Sequence, residues 1–208
     1  MSKSTLRYTL IGEGFAEYEF IPAYMTWLGN TLAPGIQVNR TRVQIPISKN
    51  PSVSKVLQEA GTLCARSFAD ERDPCDLCII GIDLDRPDHT DDLDYHSERI
   101  KELQDRMGKV YLSYRDRIIL YVPIQAIDCW ISYVQQNPTA NSLESNTKDD
   151  TKKLVYGQSN PDRQQIKKVV QQAVGKADFA QLTKQSRSFN HFHKQVQAFV
   201  TTFVNQHP

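Results

Sequence analysis

The chain has 208 residues, 39% of them apolar, with 25 basic and 24 acidic side chains. That length suits one α/β domain or one domain with an appendage. A formal net charge of +1 excludes a strongly basic nucleic-acid coat protein but not a local basic patch, and no run of 18 apolar residues suggests a membrane span. The first residues, MSKSTLRYTL, lack an apolar leader, so a cytoplasmic protein with reduced cysteines is expected.

The apolar run LRYTLI (6–11) predicts a first strand, closed by a Gly-Glu-Gly turn at 12–14. From Phe15 to about Leu32, Phe20, Ile21, Tyr24 and Leu28 follow helical spacing, and Pro34-Gly35 stop the helix. Alternation through Ile36, Val38, Val43, Ile45 and Ile47 predicts a second, bent strand. Asn50 is the expected cap, and Pro51 the first-turn residue, of a helix carrying Val53, Val56, Leu57, Ala60 and Cys64.

DLCIIGID is a nearly continuous apolar run, as in a strand buried on both faces. The loop DLDRPDHTDD leads to a helix over about 91–107, with Asp91 or Asp92 suited to its first turn and Leu93, Ile100, Leu103 and Met107 inward. DRIILYVPI is a further buried strand, and QAIDCWISYVQQ a helix in which Trp130 and Tyr133 read as core. The first 137 residues thus alternate β-α four times, the pattern of a largely parallel, four-stranded, doubly wound sheet with flanking helices. Residues 138–208 read as a polar linker followed by C-terminal helices that pack on the same domain. In the last helix, Phe189, Phe192, Val196, Phe199, Val200 and Phe203 form one apolar side, better suited to core than to base stacking. Cys75 and Cys78 form a C-x-x-C with no second ligand pair, and a core role is expected for them rather than zinc.

In an open parallel sheet, ligands bind beyond the carboxyl ends of the strands. The first strand ends at Glu13 and the third at Asp83, with Asp85 two residues on, so three carboxylates meet at one rim if these strands are neighbours. Period two puts Asp83 and Asp85 on one face of an extended segment. Two carboxylates about 4 Å apart repel by roughly 4 kcal/mol at an effective dielectric near 20, and a hard divalent cation reverses the sign. The set therefore points to Mg²⁺ (or Mn²⁺) and to phosphoryl chemistry. A phosphate-binding glycine loop is disfavoured: GEGFAE lacks the third glycine of G-x-G-x-x-G, and no Walker lysine follows.

A strand ending in E-G-x-x-E and a later strand ending in D-x-D resemble the Toprim domain of topoisomerases, primases, ribosomal-RNA maturation nucleases and the overcoming-lysogenization-defect nucleases. The matching residues are IGEGFAE (Glu13, Gly14, Glu17) and IIGIDLD (Asp83, Asp85). VPIQAIDCWISY, TKKLV and the terminal SFNHFHKQVQAFV are similar to small stand-alone Toprim-like bacterial proteins, with Asp128 where that group has Glu and Gly12 where it has an aliphatic residue. The resemblance implies a Toprim-like fold and a metal-dependent nuclease. Asp83 and Asp85 would hold the metal. Glu13 would be general acid or base or a further ligand, Glu17 a supporting acid, and Asp128 a fourth carboxylate at the rim. An assisting lysine would be Lys152, Lys153 or Lys184. Arg40 and Arg42, with Lys148, Lys152, Lys153, Lys167 and Lys168, are candidate contacts to the backbone of DNA or RNA, although a solvated face explains the lysines more simply. The family also implies a role in phage defence or nucleic-acid processing, with an ATPase encoded nearby as partner. A non-catalytic, nucleic-acid-binding or regulatory module of such an ATPase is the alternative, followed by a flavodoxin-like binding domain.

Overall fold

The computed structural model of the chain describes residues 4–41, 52–88, 92–140 and 142–207. Among these, four strands and nine α-helices follow one another: β1 (Thr5–Ile11), α1 (Phe15–Leu32), β2 (Gln37–Arg40), α2 (Val53–Ala69), β3 (Leu77–Gly81), α3 (Asp94–Met107), α4 (Lys109–Tyr114), β4 (Ile118–Tyr121), α5 (Ile127–Gln136), α6 (Lys148–Tyr156), α7 (Arg163–Val174), α8 (Phe179–Gln185) and α9 (Arg187–Gln206). The strands pair in the order β2-β1-β3-β4, all parallel. No helix among the described residues is long and apolar enough to cross a membrane.

The sheet is filled on both faces, as its continuous apolar strands require. Leu6, Tyr8 and Leu10 of β1, Leu77 and Ile79 of β3, and Ile119 and Tyr121 of β4 join one cluster with α1, α5, α7, α8 and α9. Their alternates Ile11, Cys78, Ile80, Ile118 and Leu120 join a second cluster with α2, α3 and α4. With α1 on one face and α2 on the other, the chain changes side after the first two strands. The crevice of such a switch lies beyond the carboxyl ends of the two central strands, β1 and β3.

Helix α1 runs from Phe15 to Leu32 as expected, with Ala33 closing it before Pro34. The second strand is described only over Gln37–Arg40; Val43, Ile45, Ile47, Asn50, Pro51, Arg42 and Asp91 lie outside the described residues. Ser52, not Asn50, is the N-cap of α2, and Asp94 rather than Asp92 is the acid in the first turn of α3. Trp130, Tyr133, Phe189, Phe192 and Val196 are fully buried, and all four cysteines are buried and reduced.

The polar stretch after α5 differs from its reading as a linker. Leu143 and Glu144 are buried, and α6 begins inside that stretch, at Lys148. The cause is a reciprocal cap: Thr147 Oγ1 accepts from the Asp150 backbone N–H at 3.1 Å and donates to Asp150 Oδ2 at 2.7 Å. The C-terminal residues Leu143, Val155, Val170, Phe189 and Val200 share one core with β1 and α1.

Candidate active site

Beyond Gly81 the chain stays extended. Ile82 N–H donates to Tyr121 O at 3.3 Å, Leu84 N–H to Pro123 O at 3.0 Å and Asp85 N–H to Gln125 O at 2.9 Å. The strand itself ends at Gly81, two residues before the expected Asp83, and the expected extended segment does not reach Asp85. At Asp85 the backbone turns into the left-handed region (φ 58°), facing Gln125 (φ 65°) across the same pair. Such a conformation is uncommon for residues other than glycine and concentrates at functional sites.

Asp83 and Asp85 converge on one cation. Lys148 Nζ, on the first residue of α6, lies 3.0 Å from Asp83 Oδ2 and 2.5 Å from Asp85 Oδ1. The other oxygen of Asp83 accepts from the Ile127 N–H at 3.0 Å, at the start of α5. Glu13 closes the set from the β1–α1 turn, its Oε1 accepting from the Asp83 backbone N–H at 2.6 Å. Glu17, one turn into α1, is buried behind it, and Asp128 accepts from the Tyr156 hydroxyl at 2.6 Å. Glu13, Glu17, Asp83, Asp128, Lys148 and Lys152 line a single cavity of about 320 Å³. A larger hollow of about 740 Å³ lies where β4 begins, but its one carboxylate, Asp116, has no acidic companion there. Chemistry, not size, marks the site.

The site balances its negative charge in two ways. Lys148 is partly buried, which works against its charge, yet Asp83 and Asp85 outweigh burial and hold it protonated. Burial pushes Asp83 up to about 6, opposed by Lys148. Glu13 is pushed up to about 8 by burial and then by Asp83. Burial, followed by the charges of Asp83, Glu13 and Asp128, raises Glu17 well above the carboxylate range. Burial likewise raises Asp128, against the Tyr156 hydrogen bond.

Two glycines make this packing possible. A Cβ on Gly81 would stand 2.2 Å from the Tyr121 ring, and one on Gly12 would stand 2.8 Å from the Tyr121 hydroxyl. Tyr121 thus lies beneath the site, its buried hydroxyl without a hydrogen-bond partner among the described residues.

The structure therefore brings Glu13, Glu17, Asp83, Asp85 and Asp128 to one rim. Among the described residues, no three carboxylate, histidine or cysteine side chains are grouped to hold a metal ion. Glu13 is turned to the Asp83 backbone and Asp128 to Tyr156, leaving Asp83 and Asp85 on Lys148. Of the expected lysines, Lys152 lines the cavity, while Lys153 and Lys184 are exposed and outside its lining. Lys148, weighed in the sequence only as a backbone contact, is the central one. The signal for it was Thr147-x-x-Asp150, a helix start hidden in a polar stretch.

A support behind the rim also escaped the sequence reading. Arg187 pairs with buried Glu144 at 3.1 Å and donates to the Asp88 carbonyl at 2.5 Å, tying α9 and the 138–147 segment to the loop that carries Asp85. Compared with protein-family models, curated proteins and solved structures, the chain matches none of them.

Proposed function

We propose that the chain is a divalent-metal-dependent phosphodiesterase acting on DNA or RNA, a nuclease of Toprim type. The observation that carries this reading is the convergence of Asp83 and Asp85 on one positive centre, with Glu13 bonded to the same backbone, beyond the central strands. The residues fit a divalent cation because two carboxylate oxygens already share one cation, the Lys148 ammonium. Five carboxylates also gather around two lysines there, and an anionic substrate enters such a place only if more positive charge comes with it.

Asp83 and Asp85 would hold Mg²⁺ or Mn²⁺, with Glu13 beside them and Asp128 deeper in the cavity. When bound, the ion polarises a phosphate oxygen and stabilises charge on the attacked phosphate. Glu13 moves the proton. Its Oε1 is committed to the Asp83 N–H, so Oε2 is the oxygen left to donate a proton to a leaving oxygen, and the burial that raises its pKa favours the protonated form. Lys148, freed from the two aspartates, turns its charge to the phosphate. The Ile127 N–H keeps Asp83 in place, and Glu17 packs against Gly12 and Gly14 of the turn that carries Glu13. Asp85, on its left-handed backbone, points its carboxylate to the same centre.

The test is cleavage of plasmid DNA and of an RNA strand by wild type and Asp83→Ala with Mg²⁺ or Mn²⁺. Loss of at least about 100-fold in the variant is expected, in the range for removal of one preorganised electrostatic group. Equal cleavage by both proteins would remove the enzyme reading. The internal pairing by Lys148 favours one competing reading, a nucleic-acid-binding or regulatory partner of an ATPase; it predicts binding without cleavage by either protein.

A further inference from the structure

The cavity beside the carboxylates has a second half that hydrolysis does not use. Phe15, the first residue of α1, stands at its edge, and the Arg163 guanidinium covers the ring at 4.3 Å from its centroid. Pro161 and Ile166, from the loop after α6 and the first turn of α7, line the same chamber, as does Asn160. One space of about 320 Å³ therefore joins an apolar, aromatic-edged side to a side holding Lys152 and the carboxylates. This division matches a molecule with a flat apolar part joined to an anionic part. The volume is at the small end of the roughly 300–1,000 Å³ of ligand pockets, so it has room for one such unit and not for a stacked pair.

We propose that this chamber receives one unpaired nucleotide, its base against Phe15, Pro161 and Ile166 and its phosphate toward Lys152 and the Asp83–Asp85 rim. The preferred substrate is then a single strand, or a nucleotide drawn out of a duplex. Every base has a π-face, so an aromatic platform takes any of them, and Arg163 stacked on Phe15 fixes the ring's orientation. Asn160 offers both a donor and an acceptor to a base edge. A base still paired within a helix cannot reach the wall of a pocket sized for one nucleotide and must leave the stack first. The phosphate half rests on the phosphodiester reading; the base half stands on the apolar wall alone.

Calorimetric titration of the whole chain with deoxyuridine monophosphate, uridine monophosphate and inorganic phosphate, all with Mg²⁺, tests the base half without any turnover. Either nucleotide is expected to bind at least about 10-fold more tightly than phosphate, and the tighter of the two identifies the sugar. Phe15→Ala should weaken nucleotide binding by roughly 5- to 150-fold, as for loss of one aromatic–base stack, and leave phosphate binding unchanged. Ile166→Ala, in the lining of the same chamber, should do the same more weakly and answers the question if Phe15→Ala does not fold. Equal affinity for nucleotide and phosphate, or variants that weaken both alike, would overturn the proposal. A second arm compares cleavage of one oligonucleotide alone and in a blunt duplex, with the single strand expected to be cut at least about 10-fold faster. Equal rates overturn the unpaired-nucleotide inference but keep hydrolysis. No cleavage of either strand removes the hydrolytic reading, and the titration then decides the base site on its own.

Discussion

On the face of the sheet covered by α1, the core is a web of rings: Phe20, Tyr24, Tyr121, Trp130, Phe179, Phe189 and Phe192 meet one another at centroid distances of 5.1–6.3 Å. On the face covered by α2, α3 and α4, the core is aliphatic, with three buried cysteines and no ring among its fully buried members. The first face draws on both ends of the chain, the second on its middle. Helix α5, which carries Asp128, and helix α6, which carries Lys148, belong to the aromatic face. The lesson is that the two faces share the rim unequally: Ile82 and Leu84, on either side of Asp83, pack in the aliphatic cluster, while the C-terminal third covers the aromatic face and places Lys148 among the acids.

Trp130→Ala is the strongest way to break the comparison. Trp130 is fully buried, stacks on Phe192 and donates from Nε1 to Ser188 Oγ at 3.0 Å; the same oxygen accepts from the Ile124 N–H at 3.3 Å, beside the loop that faces Asp85. A loss of about 3–5 kcal/mol is expected in chemical unfolding, together with weaker metal binding at the rim. Leu103→Ala, on the aliphatic face, should lower stability by about 2–4 kcal/mol and change the rim's metal affinity less than Trp130→Ala does, because that face meets the rim only through Ile82 and Leu84 and does not place Lys148. Equal changes in metal affinity would mean that the C-terminal third has no special part in the rim.

Lys148→Met sharpens the same comparison at the rim. It removes the only positive partner that Asp83 and Asp85 have in the ion pairs of the described residues. The lysine is about a third exposed, so the expected loss is about 1–3 kcal/mol, below that for a fully buried pair. The telling measurement is the Tm with and without Mg²⁺: the ion should raise the variant's Tm more than the wild type's, because it replaces the missing charge. A variant as stable as wild type and indifferent to Mg²⁺ would count against a shared cation site.

Much of this was legible in the sequence, and the reason lies in periodicity. Leu77–Gly81 reads as a doubly buried strand because every one of its residues is buried, and α1 begins and ends where the glycine turn and Pro34 dictate. The carboxylates were legible because Glu13 and the Asp83–Asp85 pair stand at the ends of recognisable strands. Lys148 and the Glu144–Arg187 pair were not. Lys148 stands 65 and 63 positions from the two acids it meets and Arg187 99 positions from the Asp88 carbonyl, and Lys148 and Glu144 belong to a stretch whose composition is that of a solvated linker. Nothing local marks such a residue as buried; only the fold of the C-terminal third does. The left-handed backbone at Asp85 is equally silent, since its cause is the pairing with Gln125.

Acid should separate the two faces further. His96, on α3, is fully buried, with its Nε2 unpartnered, its backbone N–H on Asp88 Oδ2 at 2.9 Å and its ring 4.8 Å from that of His191 on α9. Burial lowers its pKa to about 4, helped by His191 and Arg187 and opposed by Asp88. Because the unfolded chain takes up the proton near pH 6.5 and the folded chain only near 4, stability falls as pH drops through that window. The loss is about 3 kcal/mol at its largest, from roughly 1.4 kcal/mol per pKa unit. Urea unfolding of wild type and His96→Gln at pH 7.5 and pH 4.5 checks it, with the variant's stability expected to change less between the two. An equal change in both proteins would place the acid sensitivity elsewhere.

Tyr121→Phe is the smallest and most diagnostic change. The ring fills space that Gly12 and Gly81 leave open, so it is indispensable to the packing, but its hydroxyl has no partner among the described residues and faces the buried acids Glu17 and Asp83. A buried hydroxyl without a hydrogen bond stabilises nothing, and removing it spares the protein a desolvated polar group. Unfolding should therefore show a change of at most about 1 kcal/mol, neutral or stabilising, where loss of a made hydrogen bond would destabilise by that amount or more. A clear destabilisation would mean that the hydroxyl is bonded in solution, to a water or to Glu17, and that the floor of the site is polar.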